Sequence, residues 1–187
     1  MGPNNLPTRI FLDTCTLNFI LDYGECIFEG TEPPPGTNDR VVRDIHAFYN
    51  IFLTGRRAFW QLAISPFTYV EILQTRKLKK RLYLQKWFME VWDYWLTIRQ
   101  TAKDFPSFVE AENMKIEVLS SLAPHALNDI EDRVLICDAL SYRCDCFCTR
   151  DWKTILKYRE ELRSLPIRIL TPTEWWELIR PWAPLWA

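Results

Sequence analysis

The sequence predicts an α/β protein built on a parallel sheet, and three observations carry that prediction. Arg9-Ile10-Phe11-Leu12-Asp13 stands near the start of the chain, and Cys146-Phe147-Cys148-Thr149-Arg150-Asp151 near its end. Both are short apolar runs that finish on aspartate. Such runs read as strands buried on both faces, and a carboxylate at the exit would lie at the carboxyl edge of the sheet. Open α/β sheets place their ligands at that edge. The third observation is that strand-like and helical segments alternate along the chain, which favours a parallel sheet covered on both faces by helices.

The elements follow in order. Residues 9–13 form the first strand, and Thr14 to Asp22 a helix with Leu17, Ile20 and Leu21 on one face. Residues 23–40 carry Gly24, Gly30, Pro33-Pro34-Pro35-Gly36 and Asn38-Asp39, the marks of a loop or insertion. Val41, Ile45, Phe48, Tyr49 and Phe52 restore helical spacing, and Gly55 is expected to end that helix. Ala58 to Ile64 read as the second strand. Ser65-Pro66 then opens a helix with an N-cap serine and a proline at its first position, and this helix carries Glu71.

Leu78 to Thr101 is helical and heavily aromatic, with Trp87, Val91, Trp92 and Trp95 at spacings of three and four. A further helix is expected from Phe108 to Leu122, before the break at Pro124. Asn128 and Glu131 stand in capping-box spacing for a helix reaching about Tyr142. Residues 144–149 read as a strand, Trp152 to Leu165 as a helix, and Ile167 to Leu170 as a last strand. Pro172-Thr173-Glu174 opens the final helix.

The 187 residues suit one domain, 1–187, with elaborations at 23–57 and 77–122. Apolar residues make up 48% and glycines number only five, so the chain reads as globular and helix-rich. A net charge of −1 means that any nucleic-acid contact must come from a local patch. No apolar stretch has the length of a membrane span and the start lacks a signal core, so no membrane association and a cytoplasmic setting are expected. There the six cysteines would stay reduced. Cys144, Cys146 and Cys148 alternate, but alternate strand residues lie about 6.6 Å apart. Zinc needs sulfurs within about 4 Å, so buried, strand-filling thiols are the reading.

The carboxylates carry the chemistry. Asp13 and Asp151 each precede a helical segment and would serve as ordinary N-caps taken alone. Asp132 shares a helix face with Leu135, Ile136 and Ala139, at the buried end of an apolar stripe, where a charge is costly unless paired or metal-bound. Glu131 is explained as half of the capping box and Asp129 as favourable charge at a helix start, while Asp138 lies off the stripe and reads as solvated. Glu71 alone would be a surface glutamate. Four carboxylates brought to one sheet edge would repel one another unless a cation held them, which points to a metal site and phosphodiester hydrolysis.

These residues resemble a known family. Ile10-Phe11-Leu12-Asp13-Thr14 resembles the opening motif of PIN-domain nucleases, and Ser65-Pro66 followed by Glu71 their second. Asp132 with Leu135-Ile136 and Ala139-Leu140 is similar to the third motif, Thr149-Arg150-Asp151 to the fourth, and 167–174 to the family's last strand and helix. The resemblance covers roughly residues 8–22, 58–75 and 125–178. It departs at 23–57 and 77–122, where enlarged helical insertions are expected.

The resemblance implies a three-layer α/β/α sandwich with a central parallel sheet. It also implies an acidic pocket of Asp13, Glu71, Asp132 and Asp151 binding Mg²⁺ or Mn²⁺, hard ions that prefer oxygen. Asp13, Asp132 and Asp151 would be metal ligands, and Glu71 would bind a second ion or orient water. Thr149 would hydrogen-bond a ligand carboxylate from behind. The implied activity is a divalent-metal-dependent endoribonuclease, and the implied partners are RNA and an inhibitor protein of the antitoxin kind; a monomer and a homodimer both stay open.

The basic run Arg76, Lys77, Lys79, Lys80 and Arg81 follows the Glu71 helix, with Arg76, Lys80 and Arg81 as candidates for RNA phosphates. The alternative is a solvated face whose buried side is Leu78 and Leu82. Arg150, Lys153 and Lys157 form a second basic candidate. The tryptophans at 87–95 read as core or interface before base-stacking, and those at 175–186 as a packing or docking tail. His46 and His125 are assigned structural positions. Two rivals remain: a PIN-like scaffold that binds RNA or protein without cutting, and an α/β phosphatase with Asp13 as nucleophile. The latter, haloacid-dehalogenase-like chemistry wants a second aspartate two residues on, where this chain has Cys15.

Overall fold

The computed structural model describes residues 6–58, 60–101, 105–121 and 127–186. Among these, the apolar runs form a sheet of four strands, β1 (Arg9–Leu12), β2 (Gln61–Ala63), β3 (Cys146–Cys148) and β4 (Arg168–Leu170). Their order is β2-β1-β3-β4, and every pairing is parallel. Phe11 stands between Ala63 and Phe147, and Phe147 pairs in turn with Ile169. The sheet is therefore the parallel one that the two apolar runs foretold.

Side chains alternate across a strand, so each face of this sheet has its own core. Ile10, Leu12, Cys146 and Cys148 pack on one side with Leu17, Ile20, Ile45, Phe48, Trp175 and Ile179. Phe11, Ala63, Phe147 and Ile169 pack on the other with Leu135, Ile136, Ala139, Trp95 and Ile155. Phe11 and Phe147 stack there with ring centroids 5.2 Å apart. Cys144 is buried too, and all six cysteines are free thiols. Cys144, Cys146 and Cys148 fill space around the strand, as their alternation suggested.

The helices are α1 (Thr14–Asp22), α2 (Gly24–Phe28), α3 (Asp39–Ala58), α4 (Pro66–Leu73), α5 (Leu78–Thr101), α6 (Phe108–Ser121), α7 (Ile130–Ser141) and α8 (Pro172–Ile179). A 3-10 helix, Arg180–Trp186, follows α8. Strand exits hand over to polar caps. Asp13 caps α1 by accepting the Thr16 N–H at 2.7 Å, and Ser65 caps α4 by accepting that of Phe67 at 2.9 Å. Thr171 and Glu174 form a capping box on α8. Trp95 and Trp175 are fully buried, while Trp176, Trp182 and Trp186 pack against the first core, so the aromatic tail is packing. No helix among the described residues is long and apolar enough to cross a membrane.

Several expectations change. The 23–40 insertion holds a short helix, α2, that buries Cys26 and Ile27. Gly55 does not end α3, which continues to Ala58 and shortens the second strand to Gln61–Ala63. A Cβ at Gly55 would stand 2.4 Å from Trp60 Cδ1, so glycine there makes room for an indole and does not cap the helix. The cap of α7 is Asp129, whose carboxylate accepts the Glu131 N–H at 2.9 Å, and not an Asn128–Glu131 box. The strand at 144–149 narrows to Cys146–Cys148.

Residues 152–164 are a run of turns instead of a helix. Their hydrogen bonds span unequal lengths, from Leu156 N to Asp151 O and from Glu161 N to Tyr158 O, so no regular ladder forms. Burial of Ile155 and Leu162 anchors the segment without it. Leu78 and Leu82 are each 57% exposed, so they are not the buried side of the basic run; Leu84, Phe88 and Trp95 are the buried residues of α5. Asp138 is buried, not solvated. Leu135–Ser141 is buried all round because α6 packs along α7, a second neighbour that a one-faced reading of the helix omits. Leu122, Pro124 and His125 lie outside the described residues.

Candidate functional site

Asp13 follows β1 directly and is only 3% exposed. The Thr149 hydroxyl donates to its Oδ2, the Thr16 N–H reaches Oδ1 at 2.7 Å, and the Cys15 thiol donates to Oδ2 at 3.2 Å. Burial pushes the Asp13 carboxyl up, opposed by the hydrogen bonds from Thr149, Thr16 and Cys15. Burial likewise pushes the Cys15 thiol well up, with the neighbouring Asp13 charge adding to it, so the thiol stays protonated.

Thr149, fully buried, also accepts the Asp151 N–H on its Oγ1 at 3.0 Å. Asp151 folds back over the turn that follows it. It accepts from the backbone N–H groups of Lys153 at 2.8 Å and Thr154 at 2.9 Å, and from the Thr154 hydroxyl at 2.7 Å. Asp151 thus caps the turn, as an aspartate at a strand exit is expected to, and does so within electrostatic reach of Asp132.

Glu71 and Asp132 complete the cluster. The Thr14 hydroxyl, one residue past Asp13, donates to Glu71 Oε2. Glu71 is pushed up to about 7, first by burial and then by the charges of Glu131, Asp13 and Asp132, with the Thr14 hydrogen bond opposing. Asp132 is pushed up to about 6, first by burial, with Thr154 opposing and Asp151, Asp129 and Asp13 repelling. Its Oδ2 is buried with no hydrogen-bond partner. At the carboxyl edge of the sheet the structure thus brings Asp13, Glu71 and Asp132 into electrostatic reach of one another, and Asp151 into reach of Asp132. Among the described residues, no three His, Cys, Asp or Glu side chains stand close enough together, as placed, to hold an ion.

Three of the cluster's members escaped sequence reasoning. Glu131 and Asp129 had ordinary capping explanations, and Thr14 sat unremarked inside the first motif. The signal for Thr14 was its position, since the first residue of α1 points out of the same sheet edge as Asp13.

The basic residues are less concentrated on the site. Arg76, Lys77 and Lys79 are exposed. Lys80 Nζ holds both carboxylate oxygens of Asp22 at 2.7 Å, and Arg81 Nη1 donates to the Leu73 carbonyl at 3.3 Å. Arg150 Nε pairs with the buried Asp44 at 2.8 Å, away from the cluster. Lys153 is exposed, and the Lys157 ammonium lies 4.9 Å from the Tyr158 ring. His46 is exposed on α3.

A second buried acid stands apart from the cluster. Asp138 Oδ1 pairs with Lys115 Nζ at 2.7 Å, and Ser65 donates its hydroxyl to Asp138 Oδ2. This network joins the cap of α4 to α6 and α7. Beside it lies a cleft of about 360 Å³ walled by Phe67, Val70, Trp92 and Tyr142.

Compared with protein-family models, with curated proteins and with solved structures, the chain matches none.

Proposed function

We propose that this protein is a divalent-metal-dependent ribonuclease of the PIN type, with a three-layer α/β/α sandwich around the parallel sheet. The observation that carries the reading is the orphaned, buried Oδ2 of Asp132 amid carboxylates that repel one another. A buried acceptor without a partner costs about 1–3 kcal/mol, and a cation would satisfy it. The donor set is all oxygen and suits Mg²⁺ or Mn²⁺.

Asp13, Asp132 and Asp151 would hold the ion, with Glu71 toward a second ion or the attacking water. Such an ion supplies a water nucleophile at neutral pH and offsets charge on the phosphate. The chain's own residues do the rest. Thr149 fixes Asp13 relative to Asp151, and Thr14 fixes Glu71. Arg76, exposed after the Glu71 helix, offers positive charge for the RNA backbone, and Lys80 and Arg81 would join it on leaving Asp22 and the Leu73 carbonyl. An antitoxin-like inhibitor, a homodimer and a cytoplasmic setting belong to the same proposal.

One observation favours a second reading, a PIN-like scaffold that binds without cutting. Asp13 is nearly sealed from solvent and already engaged by Thr149, Thr16 and Cys15. Labelled single-stranded RNA incubated with the pure protein and Mn²⁺, beside Asp151→Asn and EDTA controls, separates the two. Cleavage by the wild type alone, abolished by EDTA, is expected. Binding without cleavage would establish the scaffold.

A further inference from the structure

Asp44 is 1% exposed on α3, where it shares the apolar face of Val41, Ile45 and Phe48. A buried carboxylate needs partners, and Asp44 has two. Arg150 Nε pairs with Oδ2 at 2.8 Å, and the Thr173 hydroxyl of α8 donates to Oδ1 at 2.8 Å. The Arg150 guanidinium also lies 3.6 Å from the centre of the Phe19 ring on α1. Arg150 is thereby fixed against two helices, α3 and α1, and Asp44 ties the pair to α8 through Thr173.

Arg150 lies in sequence between Thr149 and Asp151. The hydrogen bonds of the three side chains show how the segment is held. Thr149 and Asp151 reach the acidic cluster, while Arg150 reaches away to Asp44. The Asp44 pair therefore grips the residue between Thr149 and Asp151 through contacts that neither of those two side chains makes.

We propose that Asp44 is a positioning residue that, through Arg150, sets the placement of Thr149 and Asp151 in the acidic cluster. The functional half of this inference rests on the metal-site reading above; the structural half does not. The pair does more than stabilise, because its grip is on the two residues that share a hydrogen bond at the site.

The test combines amide hydrogen exchange with Mn²⁺ titration of the full chain. Asp44→Asn is expected to speed exchange across 149–154 at least tenfold while leaving Phe11 and Phe147 in the sheet protected. It is also expected to raise the half-saturating Mn²⁺ concentration, read by thermal shift, about tenfold. Thr173→Val, which leaves the Arg150 pair in place, should match the wild type in both. Lys115→Met, destabilised through a different buried pair, should not loosen 149–154 selectively. Should Asp44→Asn fail to fold, Arg150→Gln, which leaves Asp44 its Thr173 bond, is read in the same way.

Unchanged exchange at 149–154, equal loosening in Lys115→Met, or loosening without a change in Mn²⁺ dependence would each overturn the proposal. A wild type with no response to Mn²⁺ overturns the proposed function instead, and the exchange data then decide the clamp by themselves.

Discussion

Thr149 and Asp13 meet across the exits of two adjacent strands, joined by a hydrogen bond from the threonine hydroxyl to the carboxylate. The same hydroxyl oxygen accepts the Asp151 N–H, so one buried side chain fixes the spacing of two acids from opposite ends of the sequence. Thr149→Val keeps the shape and removes both bonds. It is expected to raise the half-saturating Mn²⁺ concentration about 10–100-fold, the usual effect of losing a group that orients a ligand. Thr149→Ser should restore most of it. Equal Mn²⁺ dependence in all three proteins would place the metal elsewhere.

The raised acids set a pH dependence. Glu71 moves from 4.5 to about 7 in the folded protein, and Asp132 from 3.8 to about 6. The folded state thus holds these protons more tightly than the unfolded chain. Stability from this source is full below the unfolded values and is lost as pH rises through the folded ones. Glu71→Gln removes the larger shift. Without metal, its melting temperature should gain on the wild type as pH rises from about 4.5 to about 7, then stay level. A constant difference across that window would show that Glu71 is not perturbed.

Added Mn²⁺ should act against the same trend. At pH 7 it is expected to raise the melting temperature of the wild type and much less that of Asp13→Asn or Asp132→Asn. By mass action, 100 times the dissociation constant gives about 2.7 kcal/mol. Equal rises in the wild type and both variants would dissolve the idea of one shared site.

Lys115 and Asp138 form an ion pair in which the acid is almost sealed from solvent. Lys115→Met leaves that charge buried without its cation and should cost about 3–5 kcal/mol in urea unfolding. Adding Asp138→Asn should recover much of the loss. A cost near zero in the single variant would mean that water reaches the pair freely.

Gly55→Ala tests why glycine stands inside α3. Helix propensity alone favours alanine by about 1 kcal/mol. Yet its Cβ would press on Trp60 Cδ1 at 2.4 Å and Nε1 at 2.7 Å, and overpacking of this kind costs about 1–3 kcal/mol. A net loss is expected, with a shift in tryptophan fluorescence. A more stable variant would show that Trp60 relocates at no cost.

Legibility followed range. The caps at Asp13 and Ser65 and the strands they close depend on neighbouring residues, so their signals sit in short windows of the chain; the Thr171–Glu174 capping box was equally local but went unread. Asp132 stood out because a charge at the end of an apolar stripe demands a partner. The same test applied to α3 would have flagged Asp44, placed between Val41 and Phe48. Asp138 was misjudged because the second helix that covers it is a long-range neighbour. Residues 152–164 kept a helical pattern that uneven turns satisfy equally well.

By itself, the sequence determined the order of strands and helices except at 152–164, the burial of Ile10, Phe11 and Leu12, and the polar residues at the strand exits. Each follows from side-chain periodicity and local backbone hydrogen bonding. Only the tertiary structure decided that Thr149 bridges Asp13 to Asp151, that Thr14 holds Glu71, and that Arg150 turns to Asp44. Those relations join residues up to 136 positions apart. Parallel strands are linked through long crossovers, so the contacts at their exits are set by how the crossovers pack and not by spacing along the chain.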